Sequence, residues 1–289
     1  MTLRWGYATV ALPTLSLAEA AAAAAGAGFE GLECKVGEPP RARDSPARRF
    51  LADNRTTLDL DPRDGRRAAR ISADAGLHLI GLTPYVRTGD LETFRRVAAL
   101  AQAASAPQIR LQGPRPHRGG PGYRELFDRA LAFTGEAAAI AVDHGSSVVV
   151  EIHQDTIFPS ASLAERLVAH FDPHRVGVIY DVGNMVVEGY EDHRIGIALL
   201  GAHLRHVHLK NARFAPDPAT PGPVRVHRAT WSPLDDGVVD VGAVLGHLVD
   251  AEYRGWVSLE DLSSERSPLA TLQHNAAVLA ALRAPGWRG

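Results

Sequence analysis

Short apolar, β-branched segments alternate along the chain with longer segments rich in alanine and leucine. This alternation is typical of repeated βα units built around a parallel sheet. Eight such pairs can be counted, and each strand is followed by enough residues for a helix. The predicted strands are residues 4–10, 29–35, 77–83, 107–112, 146–152, 175–181, 204–210 and 255–261.

Two predicted helices begin with the residue types that cap helices. Ser16 precedes "LAEAAAAAAGAG" with Glu19 three places on, and Ser162 precedes "LAERLVAH" with Glu165 three places on. A serine followed at this distance by glutamate is the signature of a capping box. We therefore expect Ser16 and Ser162 to be helix N-caps.

Eight parallel strands in 289 residues predict an α/β fold consisting of one (β/α)₈ TIM barrel over residues 1–289. An open doubly wound sheet is the alternative, but "ATVALPTLS" after the first strand has no dinucleotide-binding glycine pattern. Two stretches, 36–65 and 211–237, exceed ordinary connections. Both follow strands, so we expect long loops on the carboxyl-terminal rim, where barrels bind ligands.

Polar residues recur on one face of several predicted strands. Side chains alternate across a strand, so Val149, Glu151 and His153 share a face opposite Val148 and Val150. In the later strands too, polar residues share one face and apolar residues share the other. The apolar face would pack on the surrounding helices, so the polar side chains point into the barrel. The predicted inward residues at four strand ends are Glu151, Asp181, His208 and Glu260.

Three converging carboxylates repel one another unless a cation lies between them. With one imidazole, they form a ligand set suited to Mn²⁺, Mg²⁺, Co²⁺ or Zn²⁺. A single acidic residue at a strand end can equally serve as a helix N-cap or an ion-pair partner. The convergence of four such residues favours a site for one divalent ion.

Further polar residues near these strand ends are candidates for substrate contact. Glu33 and His206 also have structural alternatives, as an ion-pair partner and as a neutral core histidine. Arg87, Arg110 and Arg115 are either contacts for anionic substrate groups or ordinary rim residues. The predicted substrate-binding residues are Glu33, His153, Asn184, His206, Lys210 and Arg213.

The composition excludes several other classes of function. A net charge of −2 gives no basic surface for nucleic acid. The single cysteine, Cys34, excludes an intramolecular disulfide framework, and the alanine run 20–25 is too short to cross a membrane. We expect a cytoplasmic protein with a small-molecule partner, as a monomer or a homo-oligomer.

The site residues lie in segments that together resemble the xylose isomerase-like barrel superfamily. The likeness is to the sugar phosphate isomerase/epimerase group, with its ketose 3-epimerases, hydroxypyruvate isomerases and inosose dehydratases. It spans nearly the whole chain. The matching segments are "AGFEGLE" (27–33), "VVVEIH" (148–153), "YDVGN" (180–184), "HVHLKN" (206–211) and "GWVSLE" (255–260).

The resemblance implies that Glu151, Asp181, His208 and Glu260 bind one divalent ion, with Mn²⁺ expected ahead of Mg²⁺, Co²⁺ or Zn²⁺. It also implies that Glu151 and Glu260 act as the acid/base pair. The chain departs from its relatives at Asn184, where ketose epimerases have histidine, and at Asn211, where many relatives have aspartate. The endonuclease IV branch is rejected, because Asn184 replaces one of its extra histidines and "RVH" (225–227) lacks its aspartate.

The function implied is a metal-dependent isomerase or epimerase that acts on a ketose, keto-sugar or keto-cyclitol. Glu151 and Glu260, on different strands, would transfer protons to and from opposite faces of an enediolate. Return of the proton to the same carbon gives epimerisation, and return to its neighbour gives isomerisation. Expulsion of a β-hydroxyl makes a lyase or dehydratase the alternative. A barrel that binds carbohydrate without catalysis, or acts as a partner subunit, is the second alternative.

Overall fold

The computed structural model describes residues 3–37, 53–217, 219–220 and 223–282. The described strands are β1 (Arg4–Ala8), β2 (Gly31–Val36), β3 (His78–Pro84), β4 (Gln108–Gln112), β5 (Ser147–Glu151), β6 (Val176–Asp181), β7 (Leu204–Leu209), β8 (Asn211–Pro216), β9 (His227–Ser232) and β10 (Trp256–Leu259). Eight parallel strands close into a barrel in the order β1-β10-β7-β6-β5-β4-β3-β2, and β8 and β9 form a separate antiparallel pair. The predicted TIM barrel is therefore confirmed.

Helices follow the barrel strands in sequence and surround the sheet. Alanine and leucine side chains of these helices pack against the outer face of the strands. Within the described ranges, no helix combines the length and apolar character needed to cross a membrane. The helices are α1 (Leu17–Gly26), α2 (Pro62–Asp74), α3 (Leu91–Ala104), α4 (Tyr123–Asp143), α5 (Ala161–Val168), α6 (Val182–Val187), α7 (His193–Leu200), α8 (Val241–Asp250) and α9 (Pro268–Leu282).

The two faces of each barrel strand have different surroundings. On β5, Val148 and Val150 belong to the apolar core between sheet and helices, whereas Val149 is buried outside that core. Burial on both faces is typical of parallel barrel strands. The amino-terminal interior is filled by Ile80, and a Cβ at Gly6 would stand 2.4 Å from its Cδ1. The barrel is thus closed below the level of the polar residues.

The predicted strands and one predicted cap are confirmed. Every predicted barrel strand is present, with ends within two residues of the prediction. Ser16 and Glu19 form the expected capping box. The prediction for Ser162 is wrong, because Ser160 caps α5 by accepting the Leu163 N–H. The Ser162 hydroxyl instead donates to the Glu191 carboxylate, so the helix begins two residues earlier.

The two long rim segments have different outcomes. Within 36–65, residues 38–52 lie outside the described residues, while Leu58 pairs with Val36 and α2 begins at Pro62. The prediction of a loop over 211–237 is wrong in part, because β8 and β9 form an antiparallel hairpin there. Alternation in this stretch is obscured by prolines at its tip.

Asn211 fixes the base of this hairpin to the barrel. Its side-chain N–H groups donate to Leu234 O and Val239 O, both at 3.0 Å, and its Oδ1 accepts from the Val239 N–H at 2.9 Å. An aspartate could not make the first two bonds, because a carboxylate has no N–H donor. The amide found here in place of the relatives' aspartate therefore has a structural explanation.

We expect Asn211→Asp to lower the free energy of unfolding by about 1–3 kcal/mol, because two buried carbonyls lose their donors and face a carboxylate. The measurement is urea unfolding followed by circular dichroism. Asp236→Asn is the control, since Asp236 lies between the two partners of Asn211 and has an exposed side chain. That variant should stay within about 0.5 kcal/mol of the native chain. Equal midpoints for Asn211→Asp and the native chain would contradict this role.

Candidate active site

Four side chains from separate strands meet at the carboxyl-terminal mouth of the barrel. Glu151 ends β5, Asp181 ends β6, His208 lies near the end of β7, and Glu260 follows β10. Each offers a ligand atom, and these atoms all lie within 4.8 Å of one another. All four residues are buried. The convergence predicted from side-chain alternation is therefore found.

His208 is oriented by a hydrogen bond behind it. Its Nε2 lies 2.8 Å from Glu33 Oε2, while Nδ1 faces Asp181 Oδ2 at 3.3 Å and Glu151 Oε1 at 3.6 Å. A carboxylate that accepts the far N–H of a histidine leaves the near nitrogen available as a metal ligand. Three carboxylate oxygens and one imidazole nitrogen fit a divalent cation of the Mn²⁺ or Mg²⁺ type.

The pKa of His208 reflects the negative charge around it. Burial lowers this pKa, but Glu33, Asp181 and Glu151 more than offset that effect, so the pKa lies well above the ordinary histidine value. The ring thus holds a proton among three carboxylates. Binding of a cation at Nδ1 would release that proton, because only the deprotonated nitrogen can act as a ligand.

Asp181 uses its two oxygens for different purposes. Oδ1 accepts the Asn184 N–H at 2.8 Å and caps α6, while Oδ2 faces His208 and Lys210. Asp181 is therefore both a helix N-cap and an ion-pair partner of Lys210. Asn184 is buried, donates its side-chain N–H to Ile152 O at 3.0 Å, and keeps a buried Oδ1 without a hydrogen-bond partner.

Lys210 neutralises part of the acidic cluster. Its Nζ lies 2.8 Å from Asp181 Oδ2, donates to Glu260 Oε2, and stands 5.0 Å from the centre of the Trp231 ring. Burial lowers the pKa of Lys210, but Asp181 and Glu260 raise it above the ordinary lysine value. Gly183 leaves room for this side chain, since a Cβ there would stand 2.3 Å from Lys210 Cγ.

Glu151 is held by two donors on β4. Its Oε2 accepts from Arg110 Nη1 at 3.0 Å and from Gln112 Nε2 at 3.2 Å. Burial raises the pKa of Glu151, but Arg110 and His208 more than offset this and keep that pKa well below the ordinary value. Glu151 is therefore ionised at neutral pH, with Oε1 directed toward His208.

His206 lies deeper in the barrel than the cluster. Its Nδ1 is 2.8 Å from Gln108 Nε2 and its Nε2 is 2.9 Å from Ser258 Oγ. Burial lowers the pKa of His206 to about 4, so the ring is neutral. Glu33, His206 and His208 also form a compact group of ligand atoms. Because both His206 nitrogens already have partners, this group is a hydrogen-bond network beneath the cluster.

The remaining predicted contacts lie at different distances from the cluster. His153 is half-buried, with Nδ1 2.6 Å from Gln154 O, and lies close enough to Glu151 to contribute to the lowered pKa of that carboxyl. Arg213 lies on the exposed hairpin, where it pairs with Asp236 and Glu265. The structure therefore places His153 beside the site and does not bring Arg213 to it.

The sequence did not identify Lys35 and Tyr85 as residues near the cluster, and it placed Arg110 at the rim. Arg110 is buried inside the barrel rather than at the rim, and Lys35 and Tyr85 lie beside it. Alternation could have identified two of them. Gln108, Arg110 and Gln112 face one way in "QIRLQ", and Glu33 and Lys35 face one way in "LECK".

We expect Glu33→Gln to weaken binding of Mn²⁺ about 10–100-fold, because the charged partner of His208 Nε2–H is lost. Isothermal titration calorimetry with Mn²⁺ measures this affinity. Glu30→Gln is the matched control, since Glu30 lies just before the same strand and is exposed. If Glu33 serves only as a sugar contact, both variants will bind Mn²⁺ with the native affinity.

Known sequences provide one family match and two similar curated proteins. A family model described as xylose isomerase-like TIM barrel matches residues 21–282. The chain is 30% identical over 158 residues to inosose dehydratase of Geobacillus thermodenitrificans, covering 47% of this chain and 50% of that protein. It is 28% identical over 144 residues to inosose dehydratase of Lactiplantibacillus plantarum, covering 46% and 47%. The chain thus spans about half the length of the curated relatives it matches.

Solved structures extend the likeness over the whole barrel. D-allulose 3-epimerase from Methylomonas in complex with D-allulose superposes with a TM-score of 0.69 at 17% identity, covering 98% of this chain and 97% of that chain. A xylose isomerase-like TIM barrel protein from Mycobacterium smegmatis in complex with magnesium gives 0.64 at 17% identity, with the same coverage. At such identity the likeness shows the fold alone. Because the family model spans nearly all of the barrel, the chain belongs to the xylose isomerase-like TIM barrel family.

Proposed function

We propose that the chain is a divalent-metal-dependent isomerase or epimerase of a keto-sugar or keto-cyclitol. The observation that carries this proposal is the convergence of Glu151, Asp181, His208 and Glu260 at the barrel mouth, with their ligand atoms within 4.8 Å. The bound ion, Mn²⁺ or a similar cation, would polarise the substrate carbonyl and acidify the neighbouring C–H.

Glu151 and Glu260 are the proposed acid/base pair. They come from strands separated by β6 and β7 in the barrel order, so they can reach a planar intermediate from different sides. One carboxylate removes the proton and the other returns one, which inverts the carbon. The bonds from Arg110 and Gln112 fix one oxygen of Glu151, which limits the directions from which it can accept a proton.

Other residues of the chain would position the substrate. Lys210 lies between Asp181 and Glu260, where its ammonium group can donate to a substrate oxygen. His153 and Asn184 border the same mouth, and the unpartnered Asn184 Oδ1 is an acceptor for a substrate hydroxyl. Buried side chains, Ile80 among them, fill the barrel below this region, so a substrate would approach from the rim.

A dehydratase is the second candidate function. The curated relatives reported above are named inosose dehydratase, and the same first proton removal leads to loss of a β-hydroxyl. In that reaction one carboxylate removes the proton and the other protonates the departing hydroxyl. The isomerase or epimerase and the dehydratase would therefore use the same acid/base residues and form different products.

A substrate screen tests the proposal. The metal-loaded chain is incubated in D₂O with ketoses, hydroxy-keto acids and keto-cyclitols, and mass spectrometry follows deuterium incorporation and loss of water. A gain of one mass unit at constant composition supports epimerisation or isomerisation, and loss of water supports the dehydratase. Absence of bound metal after loading, measured by elemental analysis, would instead favour a non-catalytic carbohydrate-binding barrel.

A further inference from the structure

A pair of buried cations lies beside the acidic cluster. Lys35 on β2 and Arg110 on β4 are 0% and 3% exposed, and both point into the barrel. Lys35 Nζ stands 5.6 Å, and Arg110 Cζ 4.6 Å, from the centre of the Tyr85 ring. Two like charges on one aromatic ring repel each other, and burial adds a desolvation cost. An anion bound between Lys35 and Arg110 would offset both costs.

Neither cation is fully partnered by the protein. Lys35 Nζ donates to Thr57 Oγ1 at 2.9 Å, and among the described residues no carboxylate lies within ion-pair distance of it. Arg110 donates through its two terminal nitrogens to Glu151 and to Pro84 O, but its buried Nε has no hydrogen-bond partner. Unpartnered N–H groups of this kind are costly in the absence of a ligand.

The charged side chains at the barrel mouth indicate the charge of a ligand that would fit there. Among the described residues, the inward-facing carboxylates are Glu33, Glu151, Asp181 and Glu260, and the fixed cations are Lys35, Arg110 and Lys210. Asp261 is also buried but acts on Tyr7 in the outer core, so it faces away. Arg110 and Lys210 each pair with one or more of these carboxylates, whereas among the described residues Lys35 pairs with none. A single negative charge brought beside Lys35 would complete the pairing.

We propose that Lys35, Arg110 and Tyr85 form a subsite for a carboxylate carried by the substrate, so that the substrate is a keto-sugar or keto-cyclitol acid. This inference rests on the proposed function and narrows its substrate class. The free donors are the Nε–H of Arg110 and the remaining N–H groups of Lys35, which match the two oxygens of a carboxylate. Thr57 and Tyr85 are only partly buried, so the subsite opens to the rim.

The subsite also fixes where the carboxylate lies. Arg110 contacts Glu151, one of the two proposed acid/base residues, at 3.0 Å. A carboxylate held by Arg110 Nε would therefore lie next to the reacting carbons rather than at the far end of the substrate. Such a group also withdraws electrons from the adjacent ketone and makes the neighbouring C–H more acidic.

A matched set of ligands tests the carboxylate assignment. 2-Keto-D-gluconate and D-fructose differ only at C1, which is a carboxylate in the first and a hydroxymethyl group in the second. D-fructose 1-phosphate places a phosphate on the same carbon. Isothermal titration calorimetry with the full chain in buffer containing Mn²⁺ measures the affinity for each. We expect 2-keto-D-gluconate to bind about tenfold more tightly than D-fructose, which is about 1.4 kcal/mol.

Two substitutions at Lys35 locate the preference. Lys35→Met should abolish it, because the chain length is kept and the charge is lost, and Lys35→Arg should retain most of it. Lys35→Met should also melt at or above the native temperature, because a buried charge without a carboxylate partner is removed. A lower melting temperature of Lys35→Met would indicate a structural lysine and overturn the proposal. Lys35→Gln repeats the binding comparison with a polar side chain.

Three other outcomes overturn the subsite. They are a native chain that does not bind 2-keto-D-gluconate more tightly than D-fructose, a preference that survives in Lys35→Met, and tighter binding of D-fructose 1-phosphate than of the carboxylate. Binding needs no turnover, so these outcomes leave the deuterium-exchange test of the proposed function intact. Conversely, a carboxylate preference without any exchange would remove the isomerase proposal and leave the binding subsite standing.

Discussion

Glu151→Gln and Glu260→Gln are each expected to lower the rate of deuterium incorporation into substrate by about 10²–10⁴-fold. Glutamine keeps the volume of the side chain but cannot take up a proton near neutral pH. If the two residues act on opposite faces, each variant blocks one direction of transfer. The exchange rate with a substrate found in the screen is measured by mass spectrometry, with the metal content of each variant determined in parallel.

The metal content matters because both residues are also proposed ligands. A variant that retains the ion but loses exchange identifies a proton-transfer role, whereas loss of both identifies a ligand. Glu136→Gln is the control, since Glu136 lies exposed on α4 and should exchange at the native rate. Deuterium exchange that persists in both Glu151→Gln and Glu260→Gln would contradict the acid/base assignment.

Divalent ions are expected to raise the melting temperature of the native chain, and Asp181→Asn should remove most of this increase. A ligand that binds only the folded state stabilises it by about 2.7 kcal/mol at a concentration one hundred times its Kd. Asparagine can still accept the Asn184 N–H and cap α6, but it loses the anionic Oδ2 that faces His208. The substitution therefore separates the cap from the ion site. Differential scanning calorimetry with and without Mn²⁺ gives the comparison.

Asp192→Asn is the matched control for this experiment. Asp192 caps α7 by accepting the Ile195 N–H at 3.0 Å, and its carboxylate is exposed and is not a member of the cluster. Its asparagine variant should respond to Mn²⁺ as the native chain does. A native melting curve that does not move with any of Mn²⁺, Mg²⁺, Co²⁺ or Zn²⁺ would contradict the proposed ion site.

The barrel could be predicted from the sequence because its strands obey a local rule. Apolar residues such as Val148 and Val150 mark the outer face, and polar residues between them mark the inner one. The same rule identified Glu151 and His208, since a polar side chain on the inner face at the end of a strand points into the mouth. Closure of the sheet then brings distant strand ends together.

Partners across the barrel could not be predicted in this way. The hydrogen bond that His208 donates to Glu33 joins residues far apart in the chain, and the pair formed by Arg110 and Glu151 depends on the register between β4 and β5. The cap at Ser160 could not be predicted for the same reason, because the Ser162 hydroxyl hydrogen-bonds to Glu191 from another segment of the chain. Local patterns indicate which way a side chain points, whereas the fold determines what it meets.

The hairpin formed by β8 and β9 joins the barrel mouth without a spacer, since β8 begins at the residue after Lys210. Burial falls off along β8, from Asn211 and Ala212, which are enclosed, to Phe214, which is 51% exposed. We therefore expect the enclosed and the exposed half of β8 to tolerate sequence changes differently. Changes near Asn211 are expected to shift the neighbouring Lys210, whereas the exposed outer half can change in length and side chains and so alter which molecules reach the barrel mouth.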